Sequence, residues 1–592
     1  MLPLVLLVPL VVAIAAIAAS RSRKSAKYVA LGASLASLAL FPLVSGGTES
    51  FGWLSLGNAA LDITVSVAPI NSLLLLIVLL IGPIVLLYSF GFMEFPSEQR
   101  RFYLEMLAFE AAMLAFAMSG SFVLLFIAWE FLSVTSYLLI GFWNVREGAN
   151  RAARKAVTMV LIGDLALIGA MAILLVTFGT LDFSGIAGAA QGVQVPLSAV
   201  ALLIVAILAK SAQFPFHEWL PDAMEGPAPV SAFLHSSTMV KAGVFVSILL
   251  FPLFASSGTL PVLFYVGLVT VILSTLNAMR ERKIKRVLAY STVQELGLML
   301  MAVGSGALLA AVYFFFAQSF YKALLFLSAG TSMKANGKED LDEIGGLTQN
   351  RIAYFTTIFG VLSLAGFVPF GGFFVNLGLA SSFGTNLAVY AFISLISLAT
   401  SFYIFRWFTL QTKKTSRAAT TLNYRTIPKS MACCLVLLAG ATAVSGAAFF
   451  VLPGFIGGGA SASLLGTTPL QANAYDAAIE TAVVAAGAFL GYFVYGKRKR
   501  GAARAPLGSP YDKAYAARAM NAVYAYVASF VLVLGDGIGY FDSAVSGAFD
   551  ALGHAVMKSG NSARRVASGE INTYVVIFAV GMVLLLLAMA II

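Results

Sequence analysis

Hydrophobic runs long enough to cross a bilayer recur along almost the whole chain, separated by short polar connections. The pattern predicts apolar helices at roughly 1–19, 28–46, 70–93, 103–118, 121–142, 156–178, 197–213, 229–256, 262–278, 286–304, 308–332, 352–376, 386–409, 430–452, 475–496 and 572–592. About 20 apolar residues in a helix cover the hydrocarbon core. The two-residue alternation of a membrane barrel is missing from the sequence, so helices are the expected spanning element. The fold class is therefore all-α: a polytopic membrane protein of about 16 transmembrane helices.

One stretch departs from this pattern. Across 511–565, Asp542, Ser546, Asp550, His554 and Lys558 recur every four residues and line one helical face, with Phe541, Val545, Phe549, Leu552 and Val556 elsewhere. That spacing predicts a long lateral amphipathic helix lying along a surface, followed by the terminal span. The apolar run 522–534 is short for a crossing, and Gly535, Gly537 and Gly539 interrupt it.

Composition agrees with a membrane protein. Of 592 residues, 60% are hydrophobic and 11% charged, which no soluble globular chain of this size matches. The net charge of +11 is a topology signal and gives no reason to expect nucleic acid as a partner. Basic clusters occupy alternate connections: Arg21/Arg23/Lys24/Lys27, Arg146/Arg151/Arg154/Lys155, Arg280/Arg282/Lys283/Lys285, Lys413/Lys414/Arg417 and Lys497/Arg498/Lys499/Arg500. The opposite connections 47–69, 179–196 and 453–474 hold no Lys or Arg. By the positive-inside rule the N-terminus lies outside an energy-transducing membrane. The basic cluster follows residues 1–19 instead of preceding them, so these residues read as a first span rather than a cleaved signal. Cys433 and Cys434 are adjacent within a span and read as small core residues.

The chain divides into an N-terminal three-helix segment (1–100), two five-helix blocks (101–256 and 257–410), two additional spans (411–505), and the lateral helix with its terminal span (506–592). The fourth helix of each block contains a proline, Pro215 in one and Pro369 in the other. An odd number of helices per block makes the two blocks inverted. Broken helices at matching places of inverted halves point to ion sites near the midplane.

Ionisable residues inside the spans are the chemical signature. Lys210 and Lys241 lie within KSAQFPFHEWLPDAMEGPAPVSAFLHSSTMVKAGV (210–244), flanked on both sides by apolar sequence. A charged lysine at the bilayer centre costs about 2.5–3.5 kcal/mol on insertion scales, so it needs a partner, water or a task. Opposite charges 4 Å apart at an effective dielectric near 20 attract by about 4 kcal/mol, enough to govern whether a buried amine keeps its proton.

That stretch resembles the antiporter-like subunits of respiratory complex I and its relatives, as do WEFLSVTSYLLIGFW (129–143), KIKRVLAYSTVQELG (283–297) and YKALLFLSAG (321–330). The likeness covers essentially the full length and is strongest to the L-type subunit, the type that carries a lateral helix. The resemblance implies a membrane-arm subunit that moves protons along a hydrated central axis when a redox module elsewhere reacts. It places the proton path on Glu130, Asp164, Lys210, His235, Lys241 and Lys322, with Glu130 paired to Lys210. It implies no cofactor in this chain, with flavin, iron–sulfur clusters and quinone on partner subunits. The expected partners are other membrane-arm subunits, including further antiporter-like chains, a peripheral redox module and the lipid bilayer. No metal-ligand cluster or phosphate-binding loop is expected.

The sequence departs from the family pattern in three places. Phe314 and Gln318 stand where many relatives have histidines, Asn376 follows GFF (372–374) where a pathway-ending lysine is usual, and Ile162 precedes Asp164 where some relatives carry an arginine. The outlet of the second half is then expected to use other groups, such as Arg406 and Glu295, or to conduct differently. Glu105 and Glu110 match no motif and are candidates for a proton inlet. His217, Glu218, Asp222 and Glu225 are candidates for an inlet or a cap after the break at Pro215. Asp542 and Asp550 are expected to dock on neighbouring subunits. The same motifs occur in multi-subunit Na+/H+ antiporters, and a membrane-bound hydrogenase, an ion-coupled bicarbonate-uptake partner or a non-pumping scaffold also remain open.

Overall fold

In the computed structural model, the described residues are 3–20, 25–56, 59–93, 96–189, 194–382, 386–413, 427–457 and 474–496. The lateral segment 511–565, with Asp542 and Asp550, and the span at 572–592 lie outside them. The N-terminal part comprises α1 (Val8–Ala19), α2 (Ala26–Leu40), a hairpin of β1 (Gly47–Leu56) and β2 (Ala59–Val67), and α3 (Pro69–Phe92). The first block comprises α4 (Pro96–Ala117), α5 (Phe122–Ile140), α6 (Glu147–Phe178), α7 (Phe183–Ala189), α8 (Leu197–Lys210), α9 (Trp219–Asp222), α10 (Ala228–Ser236), α11 (Ala242–Leu249) and α12 (Phe251–Ser256). The second comprises α13 (Leu260–Arg280), α14 (Ile284–Gly304), α15 (Leu308–Asn336), α16 (Arg351–Ala365), α17 (Gly371–Ser382) and α18 (Leu387–Thr412). Then come α19 (Lys429–Val444), α20 (Ala448–Gly457) and α21 (Ala474–Gly496).

Among the described residues, ten helical segments are long and apolar enough to cross a membrane, or eleven if α19 and α20, bent by 73°, form one span. Three shorter apolar helices cover Pro3–Ala19, Leu197–Lys210 and Arg351–Ala365. The protein is thus a predominantly helical membrane protein. Helix α15 lies at the centre, packed against α3, α10, α14, α16, α17 and α19.

The hairpin corrects the all-α expectation for the connection 47–69. Its strands pair antiparallel from Gly47↔Val67 to Leu56↔Ala59, with an irregularity between Gly52 and Leu54. Ile63, Val65 and Val67 alternate with polar neighbours and are buried. This period of two predicts a strand, and the connection is long enough to fold back on itself.

Among the described residues, three spans between α4 and α18 are interrupted. Helix α8 stops at Lys210, and residues 211–218 carry the chain past Pro215 before α9. Helix α16 stops at Gly366, whose positive φ of 91° closes the helix with its N–H on Leu362 O. Pro369 then precedes α17, so both Pro215 and Pro369 mark breaks. The third break was not foreseen: the span expected at 229–256 parts after α10. Three consecutive hydroxyls account for it. Ser236 donates to Ala232 O, while Ser237 and Thr238 donate to Phe233 O, diverting carbonyls that the helix would otherwise use.

Small residues let the interrupted helices approach their neighbours. A Cβ on Gly163 would lie 2.6 Å from Ala209 Cβ, so α6 and α8 meet almost backbone to backbone. This contact seats Asp164 beside Lys210. Gly163→Leu is expected to force α6 away from α8 and destabilise the fold by about 1–3 kcal/mol. The unfolding midpoint of the detergent-solubilised protein measures this, and an unchanged midpoint counts against the tight contact.

Candidate functional site

In the first block, α5 presents Trp129 and Ser133, four residues apart and so on one face of the helix. Lys210, fully buried at the end of α8, donates to Trp129 O at 2.9 Å and to Ser133 Oγ at 2.6 Å. Its amine stands 4.6 Å from the centre of the Trp129 ring, close enough for a cation–π contribution. Asp164, on α6, accepts from Trp129 Nε1 at 2.6 Å and from Ser133 Oγ at 3.2 Å. Its Oδ1 lies 3.8 Å from Lys210 Nζ. Trp129, Ser133 and Asp164 thus close around one amine.

This geometry corrects the expected pairing of Lys210 with Glu130. The carboxylate within ion-pair distance of the lysine is Asp164. The physical reason is helical periodicity: the amine is tethered to the 129/133 face, and Glu130 lies about 100° further round α5. Glu130 is half-buried and remains in electrostatic reach of both Asp164 and Lys210.

Lys241 lies at the break between α10 and α11 and repeats the pattern. It donates to Phe315 O at 2.6 Å and to Ser319 Oγ, with its amine 4.6 Å from the Phe315 ring centre. An aromatic residue and a serine four positions later again hold the amine. Lys241 feels the charges of Glu295 and Lys322. His235 is buried near the same break, its ring 5.8 Å from that of Phe326, and its Nδ1 has no hydrogen-bonding partner.

In the second block, Lys322 forms an ion pair with Glu295 at 2.9 Å and also donates to Ser291 Oγ. Glu295 accepts from Gln318 Nε2 at 3.0 Å and from Tyr321 Oη at 2.9 Å. Gln318, which stands in place of a histidine, thus orients the carboxylate. A cavity of about 20 Å³, room for a single water, adjoins Glu295 and is walled in part by Phe314, Asn376, Ser397 and Thr400. Asn376, at the position where the resemblance led one to expect a lysine, therefore lines this cavity.

Other candidates lie elsewhere. Arg406 binds the carbonyls of Met279 and Glu281 and caps the C-terminus of α13, which corrects its expected part in an outlet. Glu105 pairs with Arg101 at 2.6 Å, and Glu110 accepts from Ser34 at 2.6 Å beside Gly82, among α2, α3 and α4. His217 Nε2 lies 3.3 Å from Glu218, and Asp222 bridges Lys155 at 2.7 Å and Arg286 at 2.9 Å. Glu225 lies 3.5 Å from Lys283. These last four residues form a charged seam between the blocks. Among the described residues, no cluster of three or more His, Cys, Asp or Glu could hold a metal ion. The tethers Trp129, Ser133, Ser291 and Ser319 were not singled out from sequence, although the aromatic-x-x-x-Ser spacing on the helices that hold Lys210 and Lys241 was readable.

Residues 119–402 match the model described as NADH:quinone oxidoreductase/Mrp antiporter, TM, and residues 53–103 match that of NADH-Ubiquinone oxidoreductase (complex I), chain 5 N-terminus. Over residues 119–402 this chain is similar to the complex I/Mrp antiporter family. It is 34% identical over 402 residues to the chloroplast NAD(P)H-quinone oxidoreductase subunit 5 of Chaetosphaeridium globosum, covering 63% of this chain and 59% of that protein. It is 35% identical over 339 residues to a Na(+)/H(+) antiporter subunit of Alkalihalophilus pseudofirmus, covering 53% of this chain and 42% of that one. To NADH-ubiquinone oxidoreductase chain 5 of Dictyostelium citrinum it is 34% identical, over 60% and 56% of the two chains. The chain thus spans less than two thirds of the length of these relatives. A structure of the Mrp complex from Dietzia sp. DQ12-45-1b shares the fold, with a TM-score of 0.75, 24% identity, and 90% of this chain and 60% of that one covered.

Removing one member of a buried ion pair leaves the other uncompensated, at a cost of about 3–5 kcal/mol. Asp164→Ala is therefore expected to lower the unfolding midpoint strongly, and the double variant Asp164→Ala/Lys210→Met to recover most of the loss. Additive losses in this double-mutant cycle would show that the two groups do not depend on each other.

Proposed function

We propose that this chain is a proton-translocating membrane-arm subunit of a complex-I-like, redox-driven pump. The observation that carries the reading is the succession of buried charges Asp164–Lys210, Lys241 and Glu295–Lys322, each amine held by a serine hydroxyl. Ser133 is placed to donate either to Trp129 O or to Asp164 Oδ2 while it accepts from Lys210, so its proton has two orientations. A hydroxyl of this kind links an amine to a carboxylate without carrying charge itself.

In this reading the energy arrives as a displaced charge. Separating an ammonium from a carboxylate near 4 Å forfeits about 4 kcal/mol at an effective dielectric near 20. The freed amine then gives up its proton to water, and regains one when the carboxylate returns. Glu130, in reach of both members of the first pair, is the group through which a neighbouring subunit would bias that step. His235, beside the break that carries Lys241, is assigned to proton supply from the side of the basic loops. Lys241 passes the disturbance to the second pair because it shares the field of Glu295 and Lys322.

The redox cofactors (flavin, iron–sulfur clusters and quinone) are assigned to partner subunits, along with further antiporter-like chains and a peripheral redox module. The basic connections are assigned to the inner side, which leaves the N-terminus outside. Glu105 and Glu110 are assigned a helix-anchoring role beside the first block. A cation/proton exchanger is the second reading. It is favoured by the 35% identity to the Na(+)/H(+) antiporter protein of Alkalihalophilus pseudofirmus.

Inverted membrane vesicles containing the assembled complex test both readings. Supplied in turn with NADH, reduced deazaflavin or hydrogen, they are expected to acidify internally with one donor. Lys210→Met is expected to abolish that acidification, and Glu130→Gln to reduce it by at least ~10-fold, without loss of the protein from the membrane. Acidification that instead requires an imposed sodium gradient and no electron donor would favour the exchanger.

A further inference from the structure

Beyond the cavity at Glu295 lies a carboxylate that the sequence did not bring to notice. Glu480, on α21, is fully buried against α18. Its Oε1 accepts from Ser394 Oγ at 3.0 Å, Ser397 lies against the same carboxylate, and its Oε2 has no hydrogen-bonding partner. Ser397 also walls the cavity that holds Glu295 and Asn376. One serine therefore stands between the buried ion pair and a second buried acid.

The helices continue the line towards one end. Ser394 meets Glu480, Ser401 donates to Val484 O, and Phe402 O faces Gly491, so α18 and α21 run parallel. One turn before Glu480 on α21 is Asp476, half-buried, and Tyr390 of α18 is in electrostatic reach of both carboxylates. This end holds the starts of α18 and α21, opposite to Lys413 at the end of α18. Polar groups thus extend from the middle of the bundle to the face that lacks basic loops.

We propose that Glu480 is the outward proton acceptor of the second half, fed by the Glu295–Lys322 pair through the cavity at Asn376 and Ser397 and emptied through Asp476. The inference rests on the proton-translocation reading above. A buried carboxylate with one oxygen unsatisfied costs several kcal/mol unless it carries a proton or a water, and both are what an outlet needs. In each passage the Lys322 ammonium loses a proton and becomes an amine. Water in the cavity carries the proton to the Glu480 carboxylate, which becomes a carboxylic acid and then releases it towards Asp476 and the outer water. No other bond changes. Asn376 orders the water without being charged, so the acid on α21 does the work that a lysine on α17 would do.

The test uses the assembled complex in inverted vesicles, with the donor that supports the wild-type rate and a pH-sensitive acridine dye as the probe. Glu480→Gln is expected to lower the acidification rate at least ~10-fold, while Glu480→Asp keeps most of it. Lys210→Met is measured beside them. Wild-type acidification by Glu480→Gln, with Lys210→Met inactive, overturns the outlet and leaves the general reading intact. Wild-type rates in both variants overturn the general reading itself. If Glu480→Gln does not accumulate in the membrane, Ser397→Ala decides: a several-fold slower rate supports the outlet and an unchanged rate overturns it.

Discussion

A charged amine cannot remain in a dry helical bundle unless something takes over from water, and the arrangement of this protein follows from that constraint. The means are unusually uniform. Lys210 and Lys241 each rest on the carbonyl of an aromatic residue and on the hydroxyl of a serine four positions later. The same hydroxyls donate back to those carbonyls, Ser133 to Trp129 O and Ser319 to Phe315 O. Elsewhere Lys285 uses Gly226 O, Lys334 uses Gly91 O and Phe92 O, and Arg406 uses Met279 O and Glu281 O. Carbonyls at helix ends and breaks are oriented dipoles whose cost has already been met by folding, so they hold a cation with little reorganisation.

The breaks set where two of the amines sit. Lys210 ends α8, and Lys241 occupies the short turn before α11. Two of the breaks were legible from Pro215 and Pro369, since proline lacks the N–H that a continuing helix requires. The third was less visible because serine and threonine break a helix only when their hydroxyls find nearby carbonyls, which depends on how the helix is packed. The hairpin at 47–67 was legible in principle from the alternation of Ile63, Val65 and Val67. In the sequence the connection was read only for its lack of Lys and Arg.

The site was legible in its members but not in its pairings. Lys210, Asp164, Lys241, Lys322 and Glu295 announce themselves as ionisable groups within apolar runs. Which carboxylate meets which amine is set by helix rotation and by close contacts such as that at Gly163, and one sequence carries little trace of either. Trp129 and Ser133 fix Lys210 on one face of α5 and turn Glu130 away from it. Glu480 escaped notice for a related reason. One acid near the end of an apolar helix reads as interfacial, and only the parallel packing of α18 on α21 buries it beside Ser394.

The charges also balance in a way that bears on coupling. The amines of Lys210, Lys241 and Lys322 stand against the carboxylates of Asp164 and Glu295, with the half-buried Glu130 as the third acid. Lys241 and Lys322 share the field of one carboxylate, Glu295, which sits 2.9 Å from Lys322. Two ammonium groups beside a single carboxylate repel each other, and in a poorly screened interior that repulsion acts over longer distances than in water. A proton arriving at Lys241 therefore weakens the hold on the proton at Lys322. In the proposed reading that repulsion drives each proton forward, and an acceptor beyond the cavity is what gives the displaced proton a direction to leave.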